Sequence, residues 1–191
     1  MIITILKRLG GMLAAPIQMR RNPPSPPAEA EHYLIPELAE SVEVATVLAA
    51  DVPKANTPEG RWRSWPPLVL AECDEPLVDG APDLRGVWTV HQGALKGHIE
   101  RVEQAGNRVV ITAGGVVHDM FVDGTLEGGV NDEGVGGTEI AVAAKFEDGR
   151  HNLYLGGKRL VVTRYLDGDE MVWRWGPYRN RLRRLTGPDD T

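Results

Sequence analysis

Residues able to do acid–base chemistry cluster in two short stretches. In "VVHDMFV" His118 is followed at once by Asp119, and Glu127 lies beyond the next turn. An imidazole within hydrogen-bond reach of a carboxylate is the smallest set that can move a proton. An isomerase or lyase working through His118 with Asp119 and Glu127 is therefore one reading. In "GHIERVE" His98 and Glu100 stand two apart, so on a strand they share a face. Turned inward they form a titratable pair, and turned outward they are a solvated face. That strand has no clean apolar side to decide between the two. His118 shares its face with Val116, Met120 and Val122, where a histidine is most often a hydrogen-bonded core residue.

Other chemistries find less support. His91, His98, His118 and His151 fall on separate segments without metal-ligand spacing, and Asp132 and Glu133 lack the spacing of a calcium loop. The glycine-rich stretch 124–137 has no following Gly-Lys-Ser/Thr, so it is not a phosphate loop. It reads as strand plus loop, a candidate lid over one barrel mouth. No metal or other cofactor is expected. Cys73 is the single cysteine and sits among acids in "AECDEP", which raises a thiol pKa and argues against a nucleophile. One cysteine allows no intrachain disulfide, which fits a reducing, cytoplasmic setting. The net charge of −6 argues against a nucleic-acid partner.

The elements that must position these side chains are short strands. Twelve of the 14 prolines precede residue 84, and 18 of the 22 glycines lie at or after it. Proline suits extended, unpaired chain, whereas glycine supplies the positive φ of tight turns. The sequence therefore divides into an extension (1–83), a domain (84–186) and a short tail (187–191). Strands are expected near 85–91, 97–104, 107–113, 116–122, 125–130, 138–146, 150–155, 159–165, 169–175 and 179–185. Asp-Gly, Gly-Asn and Gly-Gly signals between them favour tight hairpins. Alternation is clear in "EIAVAAKFE", where Ile140, Val142, Ala144 and Phe146 share one face, and in "DEMVWRWG", where Met171, Trp173 and Trp175 do. Sequential strands with two open edges favour closure. The expected fold is mainly β, an antiparallel up-and-down barrel of eight to ten strands, with a two-sheet sandwich as the alternative.

The stretch "LRGVWTV" (84–90) opens this domain, and "RNRLRRL" (179–185) ends it. Gly86-Val87-Trp88 on the first strand of an antiparallel meander resembles the Gly-X-Trp signature of the calycins, the group of lipocalins and fatty-acid-binding proteins. The resemblance implies that Trp88 closes one barrel end and that a basic residue of the last strand packs over its ring. Arg179, Arg181, Arg183 and Arg184 are the candidates, with Arg181 and Arg183 foremost. The helical pair that fatty-acid-binding proteins carry between their first two strands has no counterpart in "HQGALKG" (91–97).

The extension is expected to be largely irregular. Residues 1–21 carry four basic residues and no acid, a frayed terminus or a weakly membrane-touching segment. No apolar run reaches the ~20 residues of a transmembrane helix. Apolar spacing over Ile35, Leu38, Val42, Ala45 and Leu48 predicts a helix near 36–50. Trp62 and Trp65 in "EGRWRSWPP" are expected to pin the linker to the domain.

Three functions stay open. The barrel could carry a small apolar or amphiphilic molecule without catalysis, lined by His118, Met120, Val142, Phe146, Met171 and Trp173. It could house the His118 enzyme. The extension and exposed strands could dock a partner or form a homodimer.

Overall fold

The computed structural model describes residues 47–134 and 139–185. Most of the helix expected near 36–50 lies outside them, as do residues 1–46, 135–138 and 186–191, the last including the 187–191 tail. Among the described residues there are ten antiparallel strands: β1 (Gly86–Gln92), β2 (Ile99–Ala105), β3 (Arg108–Ala113), β4 (Val116–Phe121), β5 (Val130–Glu133), β6 (Glu139–Glu147), β7 (Arg150–Leu155), β8 (Arg159–Asp167), β9 (Glu170–Trp175) and β10 (Tyr178–Arg184). Their order is β4-β3-β2-β1-β10-β9-β8-β7-β6-β5. Each strand pairs with its sequence neighbour except across β4–β5, and the first strand pairs with the last. The result is a nearly closed barrel.

The β4 and β5 edges meet without a ladder. Phe121 N–H donates to the Gly128 oxygen at 2.8 Å, and a His118 ring nitrogen stands 3.1 Å from the Glu133 oxygen. The extension straps this seam from outside. Lys54 Nζ donates to the main-chain oxygens of Gly128 and Gly129, Thr57 N–H to Asp132, and Arg61 to Glu133. Trp62 N–H reaches the Gly115 oxygen, and the Arg101 guanidinium lies over the Trp65 ring. Both tryptophans thus belong to the segment that holds the strap to the barrel.

Beneath the strap the outer face of β2–β4 is a second core. Ala49, Leu70 and Cys73 pack on Ala105, Val110 and Val117. Polar groups there are satisfied by strap backbone: Glu103 accepts from Val69 and Leu70 N–H, and Arg101 donates to the oxygens of Pro66 and Pro67. Both faces of β2 are therefore buried, which explains why its sequence shows no apolar side. Burial and then the Glu75 charge push the Cys73 thiol up, so it stays a protonated core residue.

The fifth strand begins later than the expected 125–130. Thr125 N–H and hydroxyl both bond Asp123, and Thr125 Oγ1 accepts from Gly128 N–H, so residues 123–128 form a self-bonded turn. Gly129 then passes so close to β6 that an added Cβ would lie 1.9 Å from the Val142 oxygen. Gly129→Ala must push two backbones apart and is expected to destabilise by about 1–3 kcal/mol, read by urea denaturation.

Candidate functional site in the barrel interior

Register decides which side chains look inward, because directly opposed residues of an antiparallel pair share a face. Val109, Ile111, Val116, Met120, Ile140, Val142, Phe146, Leu153, Leu155, Met171 and Trp173 all fall on the interior side. One end is sealed. Trp88 has no exposed surface, and its indole N–H donates to the Leu84 oxygen at 2.8 Å. Arg184 lies over its ring, 4.5 Å from the centroid. Gly86, at φ +124°, leaves the space above the sheet to the Arg184 stem, where an added Cβ would sit 3.3 Å from it. The cation on the ring is therefore Arg184. Arg181 instead binds Asp167 and Glu170 outside, and Arg183 is exposed.

Ile140, Phe146, Leu155, Val162 and Trp175 face inward but keep accessible surface, so this apolar wall is open to solvent. Next to it runs a polar line that sequence reasoning did not assemble. Phe146 on β6 opposes His151 on β7, His151 opposes Arg164 on β8, Arg164 opposes Trp173 on β9, and Trp173 opposes Asn180 on β10. From His151 to Asn180 all four residues are buried.

Glu100 of β2 crosses the interior to this line. Its carboxylate takes two parallel hydrogen bonds from Arg164, each 3.0 Å. His98 stands 3.8 Å from Glu100, too long for a hydrogen bond but close enough for charge to be felt, and its ring lies 5.3 Å from that of Trp173. The Arg164 guanidinium sits over the Trp173 ring at 5.0 Å. Yet Arg164 Nη1, Trp173 Nε1, Asn180 Nδ2 and both ring nitrogens of His98 and His151 have no protein partner. Native interiors satisfy nearly all such groups, so this concentration in one place demands an explanation.

Electrostatics follow from this geometry. Burial disfavours the Glu100 anion, but Arg164 and then His98 outweigh it and hold the carboxyl down to about 2. For His151 burial, reinforced by the Arg164 charge and opposed by Glu100, brings the imidazole down to about 3. Burial also lowers His118, against the hydrogen bond to Glu133. At neutral pH the interior thus holds one compensated ion pair, and the His118 and His151 imidazoles are disfavoured from carrying charge.

A pH dependence results. His151 binds its proton in the unfolded chain near pH 6.5 and in the fold only near about 3. Stability is therefore expected to fall as pH drops through that window, by up to about 5 kcal/mol over the whole of it. Glu100 is depressed in the fold, so its contribution is present above about pH 4.5 and disappears as pH falls toward about 2. Chemical denaturation at stepped pH should show the first loss, and His151→Gln should flatten it.

The structure does not bring His118 and Asp119 together. They alternate on β4, so His118 faces inward while Asp119 lies outside, bound by Arg108 beneath the strap. Glu127 is exposed in the 123–129 loop. His98 and Glu100 do point inward. Among the described residues no group of three or more metal-ligating side chains occurs, and no helix is long and apolar enough to cross a membrane.

No protein-family model matches the chain, and no curated protein or solved structure is significantly similar to it.

Proposed function

We propose that the barrel is a calycin-like carrier or sensor that binds one small amphiphilic molecule in its interior, without catalysis. The observation that carries this reading is the line of buried, unpartnered polar atoms on β7–β10 beside an accessible apolar wall. Binding pockets combine a mostly apolar lining with a few convergent polar groups. Met120, Val142, Phe146, Met171 and Trp173 supply apolar surface in this reading, and His118 a polar edge near the seam. His98, Glu100, His151, Arg164 and Asn180 join the set. The Gly86–Trp88–Arg184 arrangement supports the calycin likeness at the closed end. The acid–base alternative has less behind it, because the hydrogen bond of His118 goes to a main-chain oxygen rather than to a carboxylate.

Titration of the full chain with diphenylhexatriene, an uncharged hydrocarbon fluorophore, tests the reading. Saturable binding at one site per chain is expected, and it should be lost in Val142→Trp, which fills the interior. Absence of saturable binding would overturn the proposal.

A further inference from the structure

We infer that the interior selects ligands whose polar end is an uncharged carbonyl or similar oxygen acceptor, in preference to a carboxylate. This rests on the carrier reading above. The hydrogen-bond inventory sets the first half of the argument. Trp173 Nε1 offers one N–H, Arg164 Nη1 two and Asn180 Nδ2 two, and the rings of His98 and His151 offer at least one more each. The Asn180 amide orientation is fixed, because its oxygen accepts from Leu95 N–H at 3.0 Å. Against these donors, the unpartnered side-chain acceptors among the described residues of this line are at most one ring nitrogen from each of the two histidines. The unmet demand is for oxygen lone pairs.

Charge sets the second half. Arg164 is the cation that would draw an anionic head group, but Glu100 already takes it in a two-pronged pair, buried on both sides. A carboxylate entering here would be a second negative charge beside Glu100 without its own cation. Burying such a charge costs far more than burying a dipole. A ketone, ester or amide oxygen would accept from Trp173 Nε1, with Arg164 Nη1 and Asn180 Nδ2 beside it, and bring no charge. Its apolar chain would lie along Phe146, Leu155 and Trp175.

The test is displacement of diphenylhexatriene from the full chain at neutral pH by a long-chain methyl ketone and by the fatty carboxylate of equal chain length. The ketone is expected to displace with an affinity about tenfold or more above that of the carboxylate. Glu100→Gln leaves Arg164 uncompensated and should reverse the order. Trp173→Phe removes one donor without charge and should weaken the ketone several-fold more than it weakens diphenylhexatriene, which loses only apolar contact. It keeps the test informative should Glu100→Gln fail to fold. Equal or tighter binding of the carboxylate to the unmodified protein would overturn the inference. So would an unchanged ketone affinity in Trp173→Phe. If diphenylhexatriene itself does not bind, the carrier reading falls first, and the selectivity falls with it.

Discussion

Arg108→Ala is expected to destabilise the protein by about 3–5 kcal/mol and to free the strap. Arg108 has no exposed surface. Its guanidinium grips both oxygens of Asp119 at 2.8 and 2.7 Å, and it donates to the oxygens of Ala49, Val52 and Pro53. Removing it leaves the Asp119 carboxylate buried with only the Ala55 N–H to hold it. Breaking one side of a buried pair is costly because the other charge is stranded. Three strap carbonyls lose their donor in the same change. Denaturant melting should therefore show the loss of stability, and limited proteolysis should show new cleavage within residues 49–62. Asp119→Asn keeps the shape and part of the hydrogen bonding, so its effect should be smaller. Because Arg108 and Asp119 sit outside the barrel, interior binding should survive in any variant that remains folded.

The second large effect is at the buried Trp88–Arg184 pair. Trp88→Ala removes a fully buried indole and is expected to cost about 3–5 kcal/mol. Arg184→Ala should cost less, about 0.5–2 kcal/mol, the range for a guanidinium on an aromatic face. The two changes share one contact, so the double variant should be less destabilised than the sum of the singles. A loss under about 1 kcal/mol for Trp88→Ala would mean that the ring does not carry the closure.

The strands were legible because hairpin connections are local. Turn glycines and period-two alternation lie within a few residues of each other, so nine of the ten strands fall within a few residues of expectation. The fifth strand moved because Asp123 and Thr125 bond their own turn, a side-chain contact that glycine counting does not weigh. The interior polar line was not legible for a different reason. Glu100 and Arg164 are 64 residues apart and meet only when the barrel forms. Arg164 shares a face with Val162 and Leu166, and a charge in an apolar stripe was the available signal. His151 shares its face with Leu153 and Leu155 and carried the same signal. Glu100 was hidden because the strap buries the other face of its strand as well, which erased the polar and apolar alternation. The Asp119 ion pair was obscured likewise, since nothing near it in sequence marks residues 49–55 as its cover.

The strap and the polar line divide the molecule between stability and function. Strap contacts concentrate on β2–β5 and the seam. The inward line of unpartnered donors lies on β7–β10, away from the strap hydrogen bonds described above. This division predicts that substitutions outside the barrel change stability with little effect on binding, and that donor substitutions inside do the reverse.

The central claim is that the interior is a binding site and not merely a core. Equilibrium titration of the full chain with diphenylhexatriene, repeated on Val142→Trp, addresses it most directly. The account predicts saturation at one molecule per chain for the unmodified protein and loss of that signal when the interior is filled. Equal binding by both proteins would place the fluorophore elsewhere, and no saturable binding by the unmodified protein would leave the barrel as a structural core. Either result contradicts the account.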